Sequence, residues 1–325
     1  MKKFTKLALV SSLAISANAM AMQAMDDASL GATTGQDGIN IGIGISKIEI
    51  EKLFIHDNDG LAAGSLTAGQ AGFGGTGEAG AIYIKGNGTG ATATKGIVIG
   101  ANYGGVGGTE FLLPSRNLAD LQIDSDAGGG NPFINIAAQV SGLDIHIGEI
   151  GVVASGDVPA ADATTIRRGG QGTENAILTG LSVKTGPMTA NIQLGAAPQG
   201  AMIKLNATMV GGLTIENLGI LDNSTKTTTR AAGVIHLDSI QVTDANSRDL
   251  KLNQSISVFG EEGNDKGYVR IVSTSGAHDT YVKGIHLGSK TAASIGDMEV
   301  QGLQTYYSTS QGSYTKGAVI TISGH

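Results

Sequence analysis

The feature that most constrains this chain is a long series of short stretches in which apolar residues alternate with small or polar ones. This period of two is typical of a half-buried β-strand. The first stretch has isoleucine at every second position: Ile39, Ile41, Ile43 and Ile45. Further stretches begin after a glycine, as in Gly96-Ile-Val-Ile and Gly212-Leu-Thr-Ile. No segment of comparable length has the 3.6-residue period of a helix.

This pattern predicts an all-β fold with little helix. We expect many short glycine-bounded strands, arranged in an elongated β-sandwich or a degenerate β-solenoid-like array. The glycines that precede strands are spaced irregularly, so a strict repeat solenoid is not indicated. The 51 glycines, 5 prolines and absent tryptophan favour tightly turning β-structure over a helical bundle or a proline-rich stalk.

The chain contains no cysteine. Disulfides, thiolate metal sites and a cysteine nucleophile are therefore excluded. Apolar residues make up 41% of the sequence, which places it above the composition of disordered chains. We expect its stability to come from burial and backbone pairing.

Residues 1–21 have the three parts of a secretory signal peptide. Lys2, Lys3 and Lys6 precede an apolar run from Leu7 to Ile15, and small residues lead to a cleavage site after Ala21. The run is shorter than the roughly 20 residues that a membrane-spanning helix needs. We therefore predict export to the periplasm, the outer-membrane surface or an extracellular filament, with no helical span left after signal removal.

The mature sequence divides into four parts. Residues 22–38 form a short N-terminal cap segment, in which Asp26 or Asp27 can cap a short helix that Gly35 ends. Residues 39–153 and 176–325 form two β-rich halves. Residues 154–175, which contain Pro159, are predicted to be a flexible loop or linker. Whether the halves form one β-structure or two domains stays open.

Three local predictions concern the first half. The step from Ile45 to Ile48 breaks the alternation, as a bulge or tight corner does. The strands at 81–85 and 96–100 flank Gly86-Asn87-Gly88, which is typical of a hairpin connection. Residues 101–132 are expected to be irregular.

No motif supplies a catalytic, cofactor or metal site. Gly72 to Gly77 has the spelling of a dinucleotide-binding loop. That motif requires a strand before it and a helix after it, whereas here a loop precedes it and a strand follows it. Asp57-Asn-Asp-Gly60 offers oxygen ligands for calcium, yet the EF-hand template fails. A plain turn is favoured there, and ion binding by Asp57 and Asp59 stays open. We predict a non-enzymatic protein without a cofactor.

The net charge of −7 and the pI near 5.3 provide no basic surface for nucleic acid. The largest basic cluster is Arg167-Arg168. We therefore expect no nucleic-acid partner.

The start of the mature chain carries a family resemblance. An acidic-Asp-x-x-Leu sequence, Met25-Asp-Asp-Ala-Ser-Leu, is followed by Thr34-Gly-Gln-Asp-Gly-Ile just after the signal peptide. This start resembles that of a group of secreted β-rich Gram-negative proteins. Within the group, the chain is most similar to pilus (filament) assembly proteins of the Fil type from Acinetobacter-like bacteria. The resemblance implies a surface location and an assembly role, with no catalytic residue.

These observations predict a component of a cell-surface filament, either a pilus subunit or an assembly accessory. It would act through β-mediated contacts with other filament or envelope proteins, and its partners include copies of itself. The strand that carries the four isoleucines from Ile39 to Ile45 is the assembly candidate, because it lies near the mature N-terminus and has little bulk on one face. The alternative is a surface adhesin or binding module that uses the loops at 57–80 and 154–175.

Overall fold

Antiparallel backbone pairing organises almost all of the described chain. The computed structural model describes residues 38–64, 66–261 and 264–324. The predicted signal peptide and all of the predicted cap segment except Gly38 lie outside these residues. Nearly everything described below belongs to the compact unit that begins at Asn40.

One sheet has eight strands. In spatial order they are β1 (Ile39–Ile43), β6 (Ala119–Asp126), β7 (Phe133–Val140), β12 (Met188–Gly195), β13 (Ile203–Met209), β16 (Leu250–Glu261), β17 (Asn264–Ser273) and β22 (Ala318–Ser323).

The second sheet has twelve strands. Its main path is β2 (Lys47–Ile50), β5 (Ile97–Ala101), β8 (Leu143–Ile147), β11 (Leu181–Lys184), β14 (Leu213–Asp222), β10 (Gly170–Leu178), β9 (Glu149–Ser155), β4 (Gly80–Lys85) and β3 (Leu53–Asp57). From β14 it also continues through β15 (Gly233–Asp244), β18 (His278–Leu287) and β19 (Ser294–Leu303). A separate pair joins β20 (Tyr306–Tyr307) to β21 (Thr315–Lys316).

Helical structure is limited to short 3-10 turns in the part of the chain that the structure describes. They are Gly90–Thr92, Val106–Gly108, Gly128–Gly130 and Asn223–Thr225. None of the described helical segments is long and apolar enough to cross a membrane. The prediction of an all-β chain with many glycine-bounded strands and little helix is confirmed.

The chain alternates regularly between the two sheets. After β1 it supplies β2 and β3 to the twelve-stranded sheet, continues there with β4 and β5, and returns to the eight-stranded sheet with β6 and β7. The same exchange repeats to β22. In the eight-stranded sheet, each strand therefore lies beside the strands that precede and follow it in that sheet, which is a meander.

Two local predictions were wrong. The strands β4 and β5 do not form a hairpin, since β4 pairs with β3 and β9 while β5 pairs with β2 and β8. The loop between them closes on itself instead: the Asn87 amide donates to the Thr92 carbonyl at 2.9 Å, and the Asn87 side chain accepts from the Thr92 hydroxyl.

The second error concerns residues 101–132. This segment was expected to be irregular, but it contains the strand β6. That strand has only Leu121 and Ile123 as large apolar residues, and four acidic or amide side chains lie between and around them. The predicted linker at 154–175 consists of the end of β9, a loop and the start of β10. Those two strands pair across it, with Ser155 opposite Gly170.

Regular pairing is interrupted at one level of the twelve-stranded sheet, although the register is the same on both sides of the interruption. Glu216 pairs with Ser239, and two positions further the pairing resumes between Leu218 and Leu237. Asn217 and Asp238, which lie between these pairs, are not paired in the ladder. Gly284 on β18 is left out in the same way, and both Asn217 and Gly284 have positive φ angles. The backbone therefore departs locally from strand geometry without shifting the register or ending the sheet.

The best-buried cluster lies on one face of the twelve-stranded sheet. Tyr83 is almost completely buried, packs with Ala81 and Val153, and donates its hydroxyl to Glu149 at 2.8 Å. Burial and this neighbouring carboxylate raise the pKa of Tyr83. Lys85 forms ion pairs with Glu149 and Glu174 and so balances the charge of these carboxylates.

The close approach of β9 and β4 depends on a missing side chain at Gly148. A Cβ atom there would lie 2.1 Å from the Lys85 carbonyl oxygen, a backbone atom that cannot move alone. We expect Gly148→Ala to lower the free energy of unfolding by about 1–3 kcal/mol, as overpacking does. Urea unfolding followed by circular dichroism would measure the change.

Gly80→Ala is the matched control, because a Cβ atom at Gly80 meets nothing within 4 Å. Its stability should stay within about 0.5 kcal/mol of the parent or rise slightly. Equal losses in the two variants would contradict the steric explanation.

Candidate assembly surface

The first and last strands of the eight-stranded sheet, β1 and β22, are its edges. The Leu118 amide donates to the Ile43 carbonyl at 2.9 Å where β1 meets β6. On the other side of the sheet, β22 pairs with β17 from Ala318 opposite Ser273 to Ser323 opposite Tyr268. Among residues 38–64, 66–261 and 264–324, neither strand has a second strand partner. Each therefore presents a row of backbone donors and acceptors.

Neither edge strand carries a charge or a proline. β1 reads Ile-Asn-Ile-Gly-Ile and β22 reads Ala-Val-Ile-Thr-Ile-Ser. Natural sheets usually block exposed edges with lysine, other charges, proline or bulges, because an open edge is a template for another strand. These two edges lack the side chains that prevent pairing.

Two of the three edge strands that the twelve-stranded sheet has in the described chain, β2 and β19, differ in this respect; the third edge strand is β3. On β2, Lys47 and Glu49 form an ion pair at 2.6 Å, and Lys47 lowers the pKa of Glu49. On β19, the Gly284 amide and the Tyr281 hydroxyl hold the pKa of Asp297 low. Glu299 follows two residues later. With their pKa values lowered, Glu49 and Asp297 are ionised at neutral pH, so strand addition would have to desolvate charge there.

The two uncharged edges have matching faces. On β22, Ile320 and Ile322 are more than half exposed and alternate with Thr321. On β1, the isoleucines alternate with Asn40 and Gly42, and Gly42 faces Asp120 of β6. Following the register across the sheet from Asp120 leads to Asn253 on β16. Ser255, two positions further and on the same face, leads through Val272 to Val319, which shares its face with Thr321. The isoleucines of both edges therefore lie on one face, and Asn40, Gly42 and Thr321 lie on the other.

The structure places three of the four assembly candidates, Ile39, Ile41 and Ile43, in β1. Ile45 lies in the connection to β2. Alternation predicted a half-buried strand, yet Ile39, Ile41 and Ile45 are each at least 41% exposed within the described chain. The pattern identified the apolar face correctly, but it carries no information about what covers that face. Sequence reasoning did not identify β22 as an edge.

The loops of the alternative adhesin prediction lie side by side. The Arg168 guanidinium donates to the Asn58 side chain at 2.6 Å and to the Gly156 carbonyl. These bonds join the β3–β4 loop to the β9–β10 loop. Ile166 is almost fully exposed there, and Phe73 is about half exposed. Asp57 begins the first loop, and its carboxylate accepts from the amides of the following turn.

A serine, a histidine and a carboxylate also meet in the twelve-stranded sheet. The Ser182 hydroxyl lies 2.8 Å from Nδ1 of His146, and Nε2 of His146 lies 3.3 Å from Asp144 Oδ1. The Asp144 oxygen does not meet hydrogen-bond geometry. β11 is paired on both sides, so the amides around Ser182 are used in the sheet and cannot stabilise an oxyanion. The arrangement lacks what acyl transfer requires.

A second histidine cluster lies where pairing is interrupted at Asp238. His236 on β15 and His286 on β18 are paired, and Nε2 of each lies 3.4 Å from Asp238 Oδ1. Nδ1 of His286 lies 2.6 Å from the Ala292 carbonyl. That carbonyl can only accept, so Nδ1 carries a proton, and Nε2 faces Asp238 favourably only when it is protonated too.

The pKa values of the two histidines are shifted in opposite directions. The Ala292 carbonyl, followed by Asp238, raises the pKa of His286. Burial, followed by the charge of Lys290, lowers the pKa of His236. Within the described chain, no group of three histidine, aspartate or glutamate residues is placed to hold a metal ion. The cluster is thus suited to holding one proton on His286 and linking two strands through Asp238.

The opposite pKa shifts predict opposite pH dependences. His286 stabilises the fold at pH values below its unfolded pKa, near 6.5, and this contribution is lost as the pH rises through the higher folded value. The destabilisation caused by His286→Gln should therefore shrink from about pH 5 to about pH 8. Urea unfolding at stepped pH values measures it.

His236→Gln provides the comparison. His236 is stabilised in its neutral form, so its contribution is present above the unfolded pKa and is lost as the pH falls through the lower folded value. The loss caused by His236→Gln should therefore grow as the pH rises. Parallel trends in the two variants would contradict the assigned protonation states.

Comparisons with known proteins add one partial match. The sequence pattern of a family of unknown function, DUF6160, matches residues 1–107. This stretch includes β1 to β5. No curated protein and no solved structure matches the chain.

Proposed function

We propose that the chain is an exported, non-enzymatic component of a cell-surface filament that acts through β-mediated assembly. The observation that carries this proposal is the pair of uncharged, open edges on one sheet, β1 and β22. Open edges without charge or proline favour strand addition from another chain. The signal peptide and the resemblance to filament assembly proteins supply the expected location. The partners are other filament or envelope proteins, including copies of this chain.

Immunogold electron microscopy with antibody against the mature chain tests this function on intact cells and on sheared surface material. Regular label along filaments is expected, because a component that assembles through its strands is distributed through the polymer. Cells lacking the gene provide the control for specificity. Label confined to the envelope of cells whose filaments stay unlabelled would contradict a filament role.

The second candidate function is adhesion through the joined loops, defined here as residues 58–79 and 156–169. The exposed Ile166 and Phe73 favour it, because aliphatic and aromatic side chains held out by a tethered loop are suited to contact with another surface.

Replacing both residues, as Ile166→Ser with Phe73→Ser, should reduce cell attachment several-fold and leave filament number unchanged if the loops bind. Val106→Ser is the control, since Val106 is exposed at a different site. Attachment that is equal in all three strains would exclude adhesion through the joined loops.

A further inference from the structure

We propose that copies of this chain join head to tail, with β22 of one copy pairing antiparallel to β1 of the next, so that the eight-stranded sheet continues from molecule to molecule. This inference rests on the proposed assembly function and names its partner as a second copy. The direction of the strands, the faces of the two edges and the distribution of charge identify this occupant.

The direction of the strands fits this pairing. Ile43 ends β1 and bonds Leu118, which immediately precedes β6, so β1 and β6 are antiparallel. Each later pair in the sheet is antiparallel as well. With eight strands in strict alternation, β22 runs opposite to β1. Two copies in the same orientation therefore bring β22 and β1 together antiparallel, which continues the pattern inside each copy.

The faces fit as well. The isoleucines of both edges lie on one face of the sheet. Asn40, Gly42 and Thr321 lie on the opposite face. A copy added at β22 would extend the apolar face with Ile41 and Ile43 next to Ile320 and Ile322. The strands are five and six residues long, so neither leaves a long unpaired end.

Charge disfavours pairing through two competing edges, β2 and β19. Pairing through β2 would place another strand against the ion pair of Lys47 and Glu49, and pairing through β19 would place one against Asp297 and Glu299. The contact is also heterologous, because two different edges meet. Heterologous contacts that do not close into a ring produce open polymers.

The absence of cysteine makes a cross-linking test clean. Ile41→Cys and Ile320→Cys are introduced separately and together into the exported chain, and assembled material is oxidised and run on non-reducing gels. The double variant should produce a ladder of multimers, and an equimolar mixture of the single variants should produce mixed dimers. Ile322→Cys, used with a short bismaleimide, covers a two-residue difference in register.

The control pair, Ile48→Cys with Ile295→Cys, lies on the edges of the twelve-stranded sheet, where both side chains are exposed. It should remain monomeric. Homodimers of Ile41→Cys alone would show a two-fold contact and overturn the head-to-tail arrangement. A link between the two cysteines of one chain, seen by peptide mapping of the monomer band, would show that the edges meet within a molecule and also overturn it.

Charge substitution supplies an independent readout. Ile41→Lys or Ile320→Lys should lower the polymer fraction on the order of tenfold at equal concentration, because a lysine on an edge strand opposes pairing. Ile295→Lys, on β19, should leave it unchanged. Equal polymer in all three, with unaltered circular dichroism, would overturn the inference.

The two proposals fail separately. Labelled filaments without cross-links between β1 and β22 would preserve the filament function and reject this contact. A cross-linked ladder from protein that never labels filaments would establish the contact and reject the filament function.

Discussion

Backbone pairing in a meander is the constraint on which the rest of this structure depends. The cluster of Tyr83, Ala81 and Val153 is small for a chain of this length, so the inter-strand hydrogen bonds supply much of the order. Each inner strand of the eight-stranded sheet is satisfied on both sides. A meander that stays open leaves two strands paired on one side only, and among the residues that the structure describes these are β1 and β22.

The same pairing brings distant residues together. The local interruption of pairing places Asp238 opposite Gly284, whose missing side chain makes room for the carboxylate: a Cβ atom at Gly284 would lie 2.1 Å from Asp238 Oδ2. Asp238 thereby reaches both His236 and His286, which are fifty positions apart in the sequence. A search for metal or catalytic spacing along the chain misses such a cluster, since only the register creates it.

Local alternation was enough to predict the fold class and to place Ile39, Ile41 and Ile43 on one face of a strand. It failed for β6, because that strand has only two large apolar residues, Leu121 and Ile123, among several acidic side chains. It also failed at β4 and β5, because a loop that closes on itself through Asn87 has the same glycine signature as a hairpin turn. The edge position of β22 depends on strand order, which no local pattern encodes.

The energetics of edge pairing determine what kind of assembly these strands can support. A contact five residues long forms about five hydrogen bonds, each worth about 1 kcal/mol net. Association costs at least about 4 kcal/mol, so backbone pairing alone would barely hold two copies together. Burial of the isoleucines must supply the rest, at about 25 cal/mol per Å² of apolar surface. This explains why uncharged edges would carry isoleucine on one face.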